Sequence, residues 1–252
     1  MSPAEPRAQG TLLAVPTYNE RDNVERLLAE ITEAAPLLDL LFLDDASPDG
    51  TGELLEALKA RYPRLSVVHR PGKLGIGSAH LDAVAWAYDK GYPVLLTMDA
   101  DFTHPPSYLP ELQARGASAD VVVGSRYLLR NSLDEWTLFR RLLTRGGHLL
   151  TRTLLGLKED ASSAYRLYRL DRIPRGVFGL VRATGYSFFF ESLYVLRLNE
   201  FRIEEIPIIL PARASGRSKM GLWDACKGLL RLGLMCLVIA AARNRLRLRE
   251  RP

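Results

Sequence analysis

Residues 11–51, TLLAVPTYNERDNVERLLAEITEAAPLLDLLFLDDASPDGT, decide the fold. Thr11–Val15 is a short aliphatic run of buried-strand character, and Leu40–Leu43 is a second. Between them, in 20–35, Val24, Leu27, Leu28 and Ile31 recur at the spacing of one helix face. After the second run, Asp49 or Thr51 is placed to cap a helix over 51–61, whose apolar stripe is Leu54, Leu55 and Leu58. Strand, helix, strand and helix in this order predict a parallel sheet with helices on both faces. Ligands of such sheets bind at the carboxyl ends of the strands.

The pattern continues outward from this stretch. Ser66–His69, Val94–Met98 and Val121–Gly124 read as further strands, and 77–90 as a helix with its stripe on Leu81, Val84, Ala85 and Tyr88. Beyond residue 127 the alternation changes. Residues 138–157 carry Leu138, Leu142, Leu149 and Leu154 among Arg140, Arg141, Arg145 and Arg152. A helical stretch at 190–199, a strand at Ile206–Leu210 and a strongly apolar helix over 222–242 complete the expectation. The divisions are a short tail (1–10), a main α/β domain (11–220), and a C-terminal apolar helix with a basic tail (221–252). Met1 to Gly10 lack the apolar core of a signal peptide, so residence on the cytoplasmic side is the default expectation.

Charge locates a second property. The formal net charge is +5, but residues 243–252, RNRLRLRERP, hold five arginines and one glutamate. The remainder has 29 basic against 28 acidic residues, which argues against a nucleic-acid-binding face. The basic excess adjoins an apolar stretch, Leu229–Ala242, of 14 residues interrupted by Arg231. As a helix it reaches roughly 21 Å, short of a hydrocarbon core of about 30 Å. It suits a membrane surface, with the arginines on anionic headgroups; a core helix with a solvated basic tail is the alternative. Cys226 and Cys236, ten apart in this helix, read as buried thiols rather than a disulfide or metal site.

Each strand runs into a polar cluster. The first meets Pro16-Thr17-Tyr18-Asn19-Glu20, where a dinucleotide-binding chain would carry Gly-x-Gly-x-x-Gly. A ring such as Tyr18 stacks on a base, and a carboxylate such as Glu20 accepts from a sugar hydroxyl; taken alone, the residues read better as an ordinary strand–helix turn. The second strand ends in Asp44-Asp45, one of which must face the cleft, and Asp45 is the candidate for base or ribose. The fourth ends in Asp99-Ala100-Asp101. Two carboxylates one residue apart at an open strand end repel unless a cation lies between or beside them. Mg²⁺ or Mn²⁺ is held in this way by one or two carboxylates plus substrate phosphates. His104 reads as a supporting partner rather than a third ligand. Arg126 follows the fifth strand, and Arg213, Arg217 and Lys219 lie in a Gly- and Ser-bearing loop suited to phosphate.

PTYNE, DDASPDGT, LGIGSA, MDADFTHPP, GSRY, YRLYR, EEIPI and RASGRSKMG, in this order, resemble the dolichol/polyprenyl-phosphate mannosyltransferases, which are family-2 inverting glycosyltransferases. The resemblance covers roughly residues 11–235. It implies a GT-A-type α/β fold, with a mostly parallel sheet and C-terminal amphipathic helices. By the same resemblance Pro16, Tyr18, Glu20, Leu43 and Asp45 hold the guanosine of GDP-mannose, while Asp99, Ala100 and Asp101 hold the metal and diphosphate. Arg126, Arg213 and Lys219 contact donor and lipid phosphates, and with Asp101 form the implied catalytic set. The partners implied are GDP-mannose, a polyprenyl phosphate, a membrane surface on its cytoplasmic face and a membrane-anchoring protein.

Three places depart from the family pattern. Thr103 stands where relatives can carry Gln, Phe189-Phe190-Glu191 stands for Gln-x-Glu, and Leu128–Asp134 replaces a Gly-rich acceptor segment. The implied reaction gives polyprenyl-phosphate-mannose and GDP with inversion. Rival expectations are a family-2 enzyme using UDP-glucose or a polysaccharide acceptor, and a non-catalytic membrane-surface binding protein.

Overall fold

The computed structural model describes residues 10–129, 132–133, 138–210 and 222–248. Strand β1 (Thr11–Thr17) leads into α1 (Arg21–Ala34), β2 (Asp39–Asp44), α2 (Thr51–Leu58), β3 (Leu65–His69) and α3 (Ile76–Asp89). These are followed by β4 (Val94–Thr97), α4 (Leu109–Arg115), β5 (Val121–Ser125) and α5 (Leu138–Leu155). The chain closes with β6 (Arg166–Arg169), α6 (Arg175–Phe178), α7 (Ser187–Leu198), β7 (Ile203–Pro207) and α8 (Leu222–Ala241). The described strands form one seven-stranded sheet in the order β3-β2-β1-β4-β6-β5-β7. β1 pairs in parallel with both β2 and β4, while β6 runs antiparallel to its neighbours β4 and β5.

Because successive strand residues face opposite ways, the aliphatic runs feed two cores. Leu12, Ala14, Leu41 and Leu43 pack with Ala83, Val84, Phe188 and Leu193 on the face covered by α3 and α7. Leu13, Val15, Leu40 and Phe42 pack with Val24, Leu27, Leu28 and Ile31 of α1 on the other. The helix stripe read from the sequence at those four positions is wholly buried. Burial on both faces is why these strands are continuous aliphatic runs rather than alternating ones.

Two expectations need correction. Residues 166–169, expected only as a motif, form the antiparallel strand β6 in the middle of the sheet. The strand expected at Ile206–Leu210 is Ile203–Pro207, because its pairing with β5 begins at Val121↔Ile203 and ends at Ser125↔Pro207. Ile208 and Leu210 are buried beyond its end, which gave that stretch its strand-like look. Within the C-terminal segment, Cys236 and Ile239 of α8 and Leu246 after it join the α3/α7-side core. Cys236 is a free, buried thiol. Cys226 lies where side chains are outside the described set.

The Gly75-Ile76-Gly77 segment is explained by close approach. Gly75 has φ +97°, and a Cβ there would lie 2.6 Å from the Thr184 carbonyl oxygen. A Cβ on Gly77 would lie 2.5 Å from Phe188 Cβ and 2.7 Å from the Gly185 oxygen. The amide of Ser78 donates to Thr184 O at 3.0 Å, so the start of α3 is seated directly on the 182–186 loop. Helix propensity alone would favour Gly77→Ala by about 1 kcal/mol. The backbone and Cβ overlap reverses that sign, and a net loss of about 1–3 kcal/mol is expected. For a chain of this size the melting temperature should fall by roughly 3–10 °C; an unchanged or raised midpoint by calorimetry would show that the contact has room to give.

Candidate active site

The turns after β1, β2 and β4 meet at the carboxyl edge of the sheet, where β1 is shared between β2 and β4. They enclose a cleft of about 610 Å³, within the range of small-molecule sites. A second hollow of about 590 Å³ lies at the opposite edge, where β2 and β3 begin, and is lined largely by aliphatic and proline residues. It lacks the converging carboxylates of the first.

Pro16, Tyr18, Glu20, Asp45, Asp99, Ala100 and Asp101 all line the carboxyl-edge cleft. Leu43 does not: its side chain is in the core, and its carbonyl lies 3.4 Å from the Thr17 hydroxyl. Arg126 stands behind the cleft rather than on it. Arg213, Arg217 and Lys219 lie outside the described residues.

Local hydrogen bonds decide which carboxylate faces inward. Asp44 is buried, and its oxygens accept from the Thr17 hydroxyl (3.2 Å), the Ser47 amide (3.0 Å) and the Ser47 hydroxyl (2.6 Å). Asp45, its neighbour, therefore turns toward the cleft. Asp49 accepts from the Arg21 amide and the Thr51 hydroxyl, and the Thr51 hydroxyl accepts from the Glu20 amide at 3.0 Å. The turn after β2 is thereby bonded to the turn after β1. Three non-glycine residues with positive φ, Asn19 (59°), Ala46 (54°) and Phe102 (60°), sit one in each of the three cleft turns. Such conformations cost of order 1–3 kcal/mol each and persist where surrounding contacts impose them.

At Asp99-Ala100-Asp101 those contacts are visible. Asp101 Oδ1 accepts from the Thr103 amide (3.1 Å) and hydroxyl (2.5 Å), closing a tight turn around Phe102. The Arg26 guanidinium covers the Phe102 ring at 4.5 Å. The Asp99 amide donates to His104 Nδ1 at 3.0 Å, so the remaining proton of a neutral ring is on Nε2. His104 is buried and stacked on Tyr165 with ring centres 5.0 Å apart. Burial lowers its pKa, against the pull of Asp99, so the ring is neutral near pH 7. Among the described residues no group of three His, Cys, Asp or Glu is placed to hold a metal. Two carboxylates at the cleft, with His104 engaged by the backbone, still match the donor set of Mg²⁺ or Mn²⁺, which draw their other ligands from phosphates and water.

Several cleft groups lay beyond the sequence reading. Arg70, immediately after β3, is buried and donates to Asp45, to Asp82 (2.9 Å) and to the Ser78 hydroxyl (2.6 Å). A polar residue directly after a strand was the signal used at the other turns, and it would have found this one. Lys73 places its ammonium 4.0 Å from the Tyr18 ring centre, so one face of that ring is already covered by a cation. Asp160 is fully buried and accepts from Arg126 through Nε (2.7 Å) and the main-chain amide (3.3 Å). Burial lowers the pKa of the Arg126 guanidinium, but Asp160 beside it outweighs that effect and holds it above the ordinary arginine value. Asp160 and Ser162 precede β6, and they reach this edge because β6 runs antiparallel to its neighbours. The Thr97 hydroxyl donates to Ala164 O at 2.7 Å, fastening that turn to the end of β4.

Arg126, Tyr127, His148 and Leu232 line a smaller cavity of about 130 Å³ between the end of β5, α5 and α8. Ser162 lines both spaces, so they adjoin at the 160–162 turn. Glu191, the retained member of Phe189-Phe190-Glu191, accepts from the Arg182 amide (3.0 Å) and the Ala183 amide (2.7 Å). It fixes the loop that carries Tyr186, 78% exposed, to the rim of the cleft.

Comparison with known proteins agrees with this geometry. A family profile, "Glycosyl transferase family 2", matches residues 13–173. The undecaprenyl-phosphate mannosyltransferase of Micrococcus luteus is 37% identical over 211 residues, covering 83% of this chain and 86% of that protein. The polyprenol monophosphomannose synthase of Mycolicibacterium smegmatis is also 37% identical, over 215 residues, covering 84% of this chain and 81% of that one. Glucosyl-3-phosphoglycerate synthase of Mycobacterium tuberculosis, solved with Mn²⁺, UDP-glucose and phosphoglyceric acid, superposes with a TM-score of 0.62 at 19% identity, covering 94% and 79% of the two chains. The mannosyltransferase PcManGT of Pyrobaculum calidifontis, solved with GDP-Man and Mn²⁺, superposes at 0.54 and 17% identity, covering 92% and 73%. At those identities the structures share the fold. With the family profile spanning most of the chain and two close relatives aligned along it, this protein belongs to glycosyl transferase family 2 and is a GT-A-type glycosyltransferase.

Proposed function

We propose that the enzyme transfers mannose from GDP-mannose to a polyprenyl phosphate, with inversion, on the cytoplasmic face of a membrane. The observation that carries this reading is the placement of three groups along one edge. Tyr18 and Asp45 form a wall for a nucleoside, Asp99 and Asp101 occupy the middle, and Arg126 lies beyond the Ser162 turn toward α5 and α8. The two relatives aligned over most of the chain are named as an undecaprenyl-phosphate mannosyltransferase and a polyprenol monophosphomannose synthase.

Asp99 and Asp101 would hold Mg²⁺ or Mn²⁺, which offsets charge on the diphosphate as it leaves. The acceptor supplies its own nucleophile. A phosphate monoester has a second pKa near 6, so at neutral pH it is largely dianionic and needs no base to remove a proton. Its oxygen bonds to the anomeric carbon from the face opposite the leaving group as the bond from that carbon to the GDP oxygen breaks. The protein's task is to hold two anions that repel each other in line. Arg126, oriented by Asp160, suits the acceptor phosphate, with Arg213 and Lys219 assigned to the phosphates by the family resemblance.

The acceptor side also suits a lipid surface. α5 and α8 pack together, and a Cβ on Gly147 would lie 3.3 Å from Leu232. Outward they present Leu138, Leu142 and Leu149 on α5, and Leu230, Leu234, Leu237 and Val238 on α8, each more than half exposed. These residues recur at one-face helical spacing, and Arg243, Arg245 and Arg247 follow them in the chain. No helix of the described residues is long and apolar enough to cross a membrane. An apolar face beside a basic tail is the surface-binding alternative.

Labelled mannose should pass from GDP-mannose into the organic phase when polyprenyl phosphate and Mg²⁺ are supplied. No transfer with any polyprenol length, together with competition by UDP rather than GDP, would replace this reading with a UDP-sugar enzyme. Asp101→Ala should cut turnover by roughly a thousandfold, since several kcal/mol of charge stabilisation is lost, with the circular dichroism spectrum unchanged. Full activity of that variant in EDTA would remove the metal role. Asp160→Asn should raise KM for polyprenyl phosphate or lower kcat by roughly 10- to 100-fold through a misplaced Arg126, with GDP affinity by calorimetry held within about twofold of the parent. An equal loss of GDP affinity would move Arg126 to the donor side.

A further inference from the structure

The Arg70 guanidinium is 3% exposed and has three partners on two elements. One terminal nitrogen donates to Asp45, Nε donates to Asp82 at 2.9 Å, and the other terminal nitrogen donates to the Ser78 hydroxyl at 2.6 Å. The Ser78 hydroxyl in turn donates to Gly75 O at 2.7 Å. The Arg70 amide donates to Asp44 O at 2.8 Å, so its own backbone is tied to the end of β2. A planar fork bonded at all three nitrogens has one orientation. It sets the Asp45 carboxylate relative to the first turn of α3, where Gly75, Ile76 and Ala79 also line the cleft.

We propose that Arg70 is a positioning residue that makes Asp45 selective for guanine, by presenting its carboxylate edge-on to a base that offers two adjacent N–H donors. This rests on the reading of the cleft as a GDP-sugar site. With one oxygen held by Arg70, the carboxylate meets the base as an acceptor. The pairing edge of guanine carries N1–H beside the 2-amino group, so two donors face it. Uracil offers a single N3–H flanked by two carbonyl oxygens, and those oxygens meet a carboxylate as like partial charges. A site built around two acceptor oxygens disfavours a base that pairs with only one of them. If Arg70 is removed, the carboxylate is free to turn, and the distinction between the two bases should weaken before affinity for the diphosphate does.

Binding of GDP and of UDP, each with Mn²⁺, is measured calorimetrically on the parent, Arg70→Met, Arg70→Lys, Asp45→Asn and the Arg70→Met/Asp45→Asn double variant. The expected result is a loss of GDP affinity of roughly 10- to 100-fold in Arg70→Met, the scale of a two-donor base contact. UDP affinity should change by less than about threefold, because the diphosphate and metal contacts are untouched. Arg70→Lys, which keeps the charge but not the fork, should behave as Arg70→Met does, and the double variant should bind GDP no worse than Asp45→Asn. Equal loss of both nucleotides, or additive losses in the double variant, would overturn the proposal. If the parent itself prefers UDP, the donor reading fails by itself. Non-additivity for UDP then supports Arg70 acting through Asp45, and additivity overturns it. Should Arg70→Met not fold, Asp82→Asn is the alternative, since the Asp82 side chain is 56% exposed. Its GDP-over-UDP preference should drop several-fold with an unchanged melting temperature, and an unchanged preference would overturn the proposal.

Discussion

β1 hydrogen-bonds in parallel to β2 on one side and β4 on the other, and the placement of the site depends on that shared strand. Strands that leave a central strand in opposite directions cannot both be followed closely by their connecting chains, so a crevice opens at their carboxyl ends. The turn after β1 supplies Tyr18 and Glu20, the turn after β2 supplies Asp45, and the turn after β4 supplies Asp99 and Asp101. Each was separated from the others by tens of residues, and the sheet brings them to one edge. The cost is a concentration of carboxylates. The protein manages it by giving Asp44 and Asp49 local donors, by pairing Asp45 with Arg70, and by leaving Asp99 and Asp101 where a cation and a substrate can reach them.

The second organising feature is the reversed strand β6. Because it enters from the carboxyl edge, the turn before it lies beside the cleft, which Ser162 and Ala164 line, instead of forming a connection at the far end. Asp160 then fixes Arg126 at the end of β5, and Thr97 fixes the same turn to β4. The buried Arg166 at the start of β6 donates to Ala161 O and Phe189 O, both at 2.9 Å, drawing the turn and α7 together. Along this edge the proposed reading sets nucleoside, diphosphate and acceptor phosphate in turn, ending at the apolar face of α5 and α8. That gradient matches a reaction whose donor is water-soluble and whose acceptor is a lipid.

Several features that look like departures from a family pattern have local physical roles. Thr103 donates through both its amide and its hydroxyl to Asp101, so it shapes the turn around the carboxylate. Glu191 holds two amides of the loop beneath Tyr186, which accounts for its retention where its neighbours are phenylalanines. Gly75 and Gly77 lack side chains because the same loop presses on them, and no phosphate is needed to explain them.

Much of this was written locally. The stripe Val24, Leu27, Leu28 and Ile31, the aliphatic runs at 11–15 and 40–43, and the clusters after β1, β2 and β4 were legible, because helix and strand periodicity and turn chemistry are short-range properties. From them followed a largely parallel sheet with its polar groups at one edge, and the ordered motifs carried the family. What the tertiary structure alone decided were the long-range partners: Arg70 on Asp45, Asp160 on Arg126, and β6 inserted backwards between β4 and β5. The strand over 166–169 has too few residues to show a period, and its direction is set by its neighbours. Leu43 illustrates the same limit, since its place in a motif put it at the nucleoside while the alternation of β2 turned its side chain into the core. Sequence determines which residues are equipped to pair, whereas the direction of a strand and the side to which a carboxylate turns are settled by contacts between segments far apart in the chain.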